Sequence, residues 1–313
     1  MNQVFNILAP MDDVTDTVFR QIVASCSTPD FFMTEFINAD GMQGVGRKAT
    51  YTRTRYDDKD NKVIAQIWGK DPENFEKSAR ELIKIGYYGV DINFGCPEKN
   101  VVRNGCCSAM IKPEGREKAI ELIKATRRGV GKKGFLSVKT RLGFNEIDYS
   151  WHELLLSQDI NMLTVHFRTR KEMSKVPANY EAMRPIVELR NKIAPKTLLV
   201  VNGDIQNRAH AETITKDLGV DGAMIGRGVF HDPYCFSDEA PEIWGKMSPE
   251  DKVNLLRKHV NLFNETWPNG ERKFNTLKKF AKVYINGYPG AKEYREHIME
   301  SKSMDELLQL LNN

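Results

Sequence analysis

The chain has 313 residues, 41% of them apolar and 28% charged, with a formal charge of +4; it is too long for a peptide or stapled mini-protein and suits one large fold, or a barrel with a small appendage. No run nears the ~18–20 apolar residues of a membrane span, and the opening MNQVFNILAPMDD lacks a basic stretch and a long apolar core, so no secretory leader is expected. Five cysteines (Cys26, Cys96, Cys106, Cys107 and Cys235), an odd number without zinc spacing, argue against a disulfide scaffold or a metal site and for a reducing, cytoplasmic setting.

Short β-like runs alternate with amphipathic stretches up to about residue 230. Strands are predicted at 5–9, 31–36, 62–68, 89–94, 134–140, 162–166, 198–202 and 222–225. Helices separate most of them. One begins at Asp71-Pro72, where an acid can cap and proline fits the first turn. Others run over 113–128 and 207–218, the last stopped by Gly219. Eight strands in some 230 residues point to a (β/α)8 TIM barrel. A doubly wound sheet would open with a glycine-rich turn after its first strand, and Ala9-Pro10-Met11-Asp12-Asp13 has no glycine. The proline-bearing segment 238–249 breaks the alternation and reads as a linker. Ser248-Pro249 then starts a purely helical stretch, with helices predicted at 249–266, 271–286, 289–300 and 303–311. The expected division is a catalytic barrel, 1–237, and a helical bundle, 246–313. Residues 245–313 hold 12 Lys+Arg against 9 Asp+Glu, so they carry most of the net charge. Arg272, Lys273, Lys278, Lys279 and Lys282 cluster there without an intervening acid, as a solvated helix face or as a phosphate-binding stripe.

In a barrel the reactive groups sit at the C-terminal ends of the strands. The first end offers Pro10-Met11, a wall for a flat ring or a plain turn. The third carries Gln66 inside an apolar run. A buried amide needs a partner, which a heterocycle or a neighbouring strand could supply. The fourth ends Asn93-Phe94-Gly95-Cys96-Pro97. A cysteine on a Gly-Cys-Pro turn suits a nucleophile or proton donor better than a packing residue. Cys106 and Cys107 read as small packing residues. Lys139 and Arg141 alternate onto one side of the fifth strand, and two cations there belong at a rim facing an electron-rich ligand. His166 adds a polar ring at the sixth end. Asn202-Gly203-Asp204 and Gly226-Arg227-Gly228 end the last two, where barrels frequently hold phosphate. Asp204 could instead cap the following helix. No Rossmann or Walker glycine pattern occurs, and His152-Glu153 lacks the second histidine of a zinc motif.

Together these strand ends resemble the tRNA-dihydrouridine synthase family, FMN-dependent barrels with a C-terminal helical domain. The likeness runs from Ala9-Pro10-Met11 through Asn93-Phe94-Gly95-Cys96-Pro97, Val138-Lys139-Thr140-Arg141 and Gly226-Arg227-Gly228 to Tyr284-Ile285-Asn286-Gly287-Tyr288-Pro289-Gly290. It implies that Pro10, Met11, Gln66, Lys139, His166, Asn202, Gly203, Asp204, Gly226 and Arg227 hold FMN, with Gly226 and Arg227 at its phosphate. It implies NADPH as reductant, Cys96 as the acid that protonates uracil C5, and Asn93 and Arg141 on the substrate side. The basic segment 272–282, with Phe274 and Phe280 interleaved, would grip tRNA phosphates, and the protein would be a monomer. Three departures stand out: Cys106-Cys107-Ser108 replaces small Gly/Ala residues, Phe167 follows His166 where glycine is usual, and Lys171–Tyr180 lacks the glycine-containing tyrosine motif. Two other readings compete, a flavin barrel that reduces a free small molecule and a non-catalytic RNA-binding barrel.

Overall fold

A computed structural model describes residues 4–57 and 61–312. The strands are β1 (Phe5–Leu8), β2 (Phe31–Met33), β3 (Ile37–Asn38), β4 (Val63–Trp68), β5 (Gly89–Asn93), β6 (Phe135–Arg141), β7 (Met162–His166), β8 (Leu198–Asn202) and β9 (Gly222–Ile225). All pairings are parallel, and β2 joins both β1 and β4 while β1 joins β9, so eight strands close into a barrel. Near-continuous apolar runs such as VIAQIW in β4 and LLVVN in β8 fit strands covered on both faces. Ile7, Met33, Ile64, Met162, Val200 and Met224 fill the barrel interior. A larger apolar layer lies between the barrel and its helices.

Local signals set the helix ends. Asp71 accepts from the backbone N–H groups of Glu73 and Asn74, with Pro72 at the first position of Pro72–Ile85. Asn207, not Asp204, caps Arg208–Leu218, which leaves Asp204 free for the rim. The strand expected over 31–36 stops at Met33. Thr34 Oγ1 takes the Gln66 N–H at 3.0 Å and donates to the Glu35 carbonyl at 2.7 Å, so a side chain replaces a ladder bond there. The chain then rejoins β4 as β3, with Ile37 opposite Ile67.

The C-terminal region contains Pro249–Thr266, Asn275–Lys278, Ala281–Tyr284, Ala291–Glu300 and Met304–Asn312, after a short helix Glu242–Lys246 inside the expected linker. Ser248 caps the first of these by accepting from Asp251 N–H. The continuous helix expected over 271–286 is instead two single turns. Tertiary anchors override helix propensity here: Phe280 stacks on Phe19 with ring centroids 5.0 Å apart and lies 4.6 Å from His259. Apolar packing is therefore continuous from the barrel helix Thr17–Cys26 into the helical region. Among the described residues no helix is long and apolar enough to cross a membrane.

Candidate active site

Parallel register brings the polar strand ends onto one rim. Gln66 lies opposite Asp91, Asn93 opposite Lys139, Arg141 opposite His166, and His166 opposite Asn202. All of these but Asp91 border a cavity of about 530 Å³. Pro10, Met11, Gln66, Lys139, His166, Asn202, Gly203, Asp204, Gly226 and Arg227 all line it, with Asn93, Cys96 and Arg141. Residues spread over more than two hundred positions thus share one space.

One wall is a closed polar chain. Gln66 Nε2 donates to Asp91 Oδ2 at 2.7 Å, and Asn93 Nδ2 donates to Gln66 Oε1 at 2.9 Å. The neighbouring strand thus supplies partners at both ends of the Gln66 amide. Ser137 Oγ holds the other Asp91 oxygen at 2.6 Å. Burial raises the Asp91 carboxyl to a pKa of about 6, against the hydrogen bonds from Ser137 and Gln66. Asn93 Oδ1 in turn accepts the N–H groups of Gly95 and Cys96 at 3.0 and 2.9 Å. The amide chain therefore fixes the turn that presents Cys96.

The opposite wall is cationic. Burial, helped by the Arg141 charge, lowers Lys139 to about 8. Its ammonium has no hydrogen-bond or ion-pair partner among the described residues, so it is available to a ligand. Burial pushes His166 well below its usual range, and Lys139, Arg141, Arg168 and Arg227 add to the effect. The ring is neutral, and because an arginine can only donate, Nε2 accepts from Arg168 at 3.2 Å. That leaves the ring proton on Nδ1. Arg168, which is 3% exposed, also pairs with Asp204, and Arg227 meets the other Asp204 oxygen at 2.9 Å. Gly203 adopts φ 122°, and a Cβ there would sit 3.0 Å from His166 Cδ2. Glycine is needed for the ring and the turn to coexist. Tyr180 OH donates to the Gly203 carbonyl, so the Lys171–Tyr180 departure is tied into this wall.

Cys96 stands between the two walls, half-buried. Its thiol is lowered to about 7, first by a hydrogen bond from the Cys107 thiol, against burial, with help from the Glu98 backbone and the Arg141 charge. Arg141 is held rigidly, Nε donating to the Gly95 carbonyl at 2.6 Å and Nη1 to the Thr169 and Met173 carbonyls. A second cavity of about 480 Å³, lined in part by Asn38, Arg53, Trp68 and Cys107, meets the first at Phe36 and Cys96.

The C-terminal cations do not form one stripe. Arg272 is the clearest correction. Its guanidinium is buried and grips Glu35, itself 1% exposed, at 2.6 and 2.9 Å. Asp16 lies 3.6 Å away. Asp12, Asp13 and Glu35 crowd oxygens within 4.8 Å of one another, and Arg53 bridges all three. A buried carboxylate demands a countercharge, and Arg272 meets that demand rather than a phosphate's. Lys278 donates to the Met299 and Ser301 carbonyls, closing the end of Ala291–Glu300, and Lys279 donates to the Asp13 carbonyl. Phe280 is 5% exposed, within the core. Lys273 and Lys282 are exposed, with no ion pair among the described residues.

The strand-end reading passed over Asp91, Arg168, Phe36 and Cys107 as site residues. Arg168 could have been found from its spacing of two after His166. Asp91 could have been found from an acid inside an apolar strand beside the buried amide. Nothing in the chain pattern points Cys107 at Cys96.

Known proteins resemble this chain along nearly its whole length. Residues 7–313 match the dihydrouridine synthase (Dus) family profile. A Staphylococcus aureus protein named "Probable tRNA-dihydrouridine synthase" is 42% identical over 98% of this chain and 92% of its own length. A Bacillus subtilis protein named "Probable tRNA-dihydrouridine synthase 2" is 42% identical over 99% of this chain and 93% of its own. Among solved structures, a morphinone reductase mutant in complex with tetrahydroNAD superposes with a TM-score of 0.51 at 10% identity, covering 74% of this chain and 85% of that one. A 2-naphthoyl-CoA reductase complex gives 0.55 at 13% identity, covering 79% and 50%. At such low identity these two likenesses concern the fold alone.

Proposed function

The chain belongs to the dihydrouridine synthase family, and from that premise we propose that it reduces uridines of tRNA to 5,6-dihydrouridine, with FMN as cofactor and NADPH as reductant, as a cytoplasmic monomer. The observation that carries the reading is the meeting of Cys96, Lys139, His166 and Arg227 around one cavity. The residues fit FMN. The cavity of about 530 Å³ lies within the ~300–1,000 Å³ usual for cofactor sites. The unpartnered Lys139 ammonium and the neutral His166 ring border the space for a flat heterocycle. The side chain of Arg227 is 61% exposed beside Gly226, suited to a phosphate. FMN, when bound, supplies the hydride that goes to C6 of the uracil, after recharging by NADPH.

The chain's own part is binding, charge and one proton. Pro10 and Met11 offer an apolar wall to the ring. Gln66 retains one amide N–H beyond its bond to Asp91, a donor for a ring edge. Lys139, cationic below about pH 8, stabilises negative charge on the electron-rich ring system. Asn202, Gly203 and Asp204 shape the side toward the phosphate. Cys96 gives its thiol proton to C5. A group titrating near 7 is protonated often enough to donate and acidic enough to let go. Arg141 and the Cys107 thiol then stabilise the sulfur anion that remains. Asn93 holds the Cys96 turn in place. The target nucleotide must leave its stack to reach this depth. Lys273 and Lys282 supply exposed charge for the RNA backbone, whereas Lys278 and Lys279 already serve carbonyls.

The test is direct. Purified protein should be yellow and should release FMN on denaturation. Incubated with NADPH and tRNA from a strain lacking the gene, it should form dihydrouridine at defined positions. Colourless protein that takes up no FMN, or turnover of free uracil in place of tRNA, would overturn the reading.

A further inference from the structure

A cysteine in the left-handed backbone region needs a reason. Cys107 has φ 51°, a conformation that strains a residue with a Cβ and that glycine adopts readily. Its side chain is 2% exposed. Cys96 and Cys107 line the second cavity together, and the two thiols are near enough for each to shift the other's pKa. Ser108 Oγ donates to the Cys96 carbonyl at 2.8 Å, fastening the segment that carries Cys107 against the turn that carries Cys96. The adjacent Cys106 faces elsewhere: its thiol reaches the Asn104 carbonyl at 3.7 Å, and it lines neither cavity. One buried thiol, in a backbone shape made for glycine, is thus held against the one reactive thiol.

We propose that Cys107 is the resolving thiol of Cys96, and that the pair is an oxidative modification site at which hydrogen peroxide closes a reversible disulfide. The proposal rests on the reading of Cys96 as the reactive thiol of the site. The Cys96 thiolate attacks one oxygen of the peroxide. The O–O bond breaks, the other oxygen leaves as water after taking a proton, and the Cys96 sulfur is oxidised to a sulfenic acid. The Cys107 sulfur then attacks the Cys96 sulfur. The S–O bond breaks, the S–S bond forms, and the hydroxyl leaves as water with the Cys107 proton. The balance is two thiols and one peroxide giving one disulfide and two waters. Burial keeps Cys107 protonated at neutral pH, so it waits as a thiol until Cys96 becomes electrophilic. The disulfide spares Cys96 the irreversible sulfinic and sulfonic stages.

The experiment reads thiols, not turnover, on full-length protein. Protein is treated with graded hydrogen peroxide, remaining thiols are alkylated, and peptides are identified by mass spectrometry before and after dithiothreitol. The expected product is one cross-linked peptide pair joining Cys96 and Cys107, with Cys96 returned to the alkylatable form by the reductant. In Cys107→Ser the cross-link should vanish, and Cys96 recovered after reduction should fall at least about fivefold as it passes to sulfinic acid. Cys107→Gly, which the left-handed backbone favours, should behave alike and guards against misfolding. Cys106→Ser should leave the cross-link intact. A bond from Cys96 to Cys106, or equal recovery of Cys96 with and without Cys107, would overturn the proposal. A protein that cross-links as described yet makes no dihydrouridine would support the pairing while refuting the functional reading.

Discussion

The barrel mouth and the basic segment 272–282 are opposites. At the mouth, residues from Pro10 to Arg227 are far apart in the chain and adjacent in space. In the basic segment, five cations are close in the chain and part company in space: Arg272 is buried on Glu35, Lys278 and Lys279 serve carbonyls, and Lys273 and Lys282 stay exposed. The difference is one of geometric rule. A parallel barrel places every strand's C-terminal end on one rim, so position along a strand implies position in the site. A segment broken into single turns has no such rule: three of its cations go to an unmet carboxylate or carbonyl and two stay in solvent.

Substitutions can break or sharpen that contrast. The largest effect should come from Cys96→Ala: turnover of tRNA should fall on the order of 10²–10⁴-fold with flavin absorbance retained, because only the proton donor is lost. Unchanged turnover would remove Cys96 from its role. Next is Glu35→Gln, which leaves Arg272 buried without its main partner. Breaking a buried pair costs about 3–5 kcal/mol, visible as a lower urea midpoint. A surface-type cost below about 1 kcal/mol would show that Arg272 is not committed to Glu35. Arg227→Ala should weaken FMN binding about 10- to 100-fold in a fluorescence titration, the loss of one charge-assisted contact.

The pH profile tests the rim more finely. The proton step needs the Cys96 thiol, so single-turnover rates with tRNA should decline as pH rises through about 7. Arg141→Gln should move that alkaline limb upward, since the thiolate loses a neighbouring cation. Smallest are Lys273→Ala and Lys282→Ala. Each should weaken tRNA binding only severalfold and flatten the dependence of log affinity on log salt by about one unit. Equal effects from Lys278→Ala would restore the stripe that the structure dissolves.

The eight-strand alternation was legible because strands covered on both faces must be continuously apolar. Helix ends at Asp71-Pro72, Ser248 and Gly219 were legible because capping is local chemistry. The rim residues could be read from strand ends, since Gln66, Lys139 and His166 interrupt apolar runs. Less local features were not. The early stop of β2 depends on Thr34 bonding to Gln66, a partner thirty-two residues away. The breakage of 271–286 depends on Phe280 finding Phe19 and on Arg272 finding Glu35, 237 positions apart.

By itself, then, the sequence determined the barrel and the chemical types on its rim, because periodicity and capping act over a few residues. Tertiary structure alone decided which polar groups are spent on one another: the Gln66–Asp91–Asn93 chain, the Arg168–Asp204–Arg227 bridge, the burial of Arg272 and the meeting of Cys96 with Cys107. The reason is physical. A buried charge or amide must be satisfied wherever the fold happens to bring a partner, and that partner is specified by the closed barrel and the docked helices, not by neighbours in the chain.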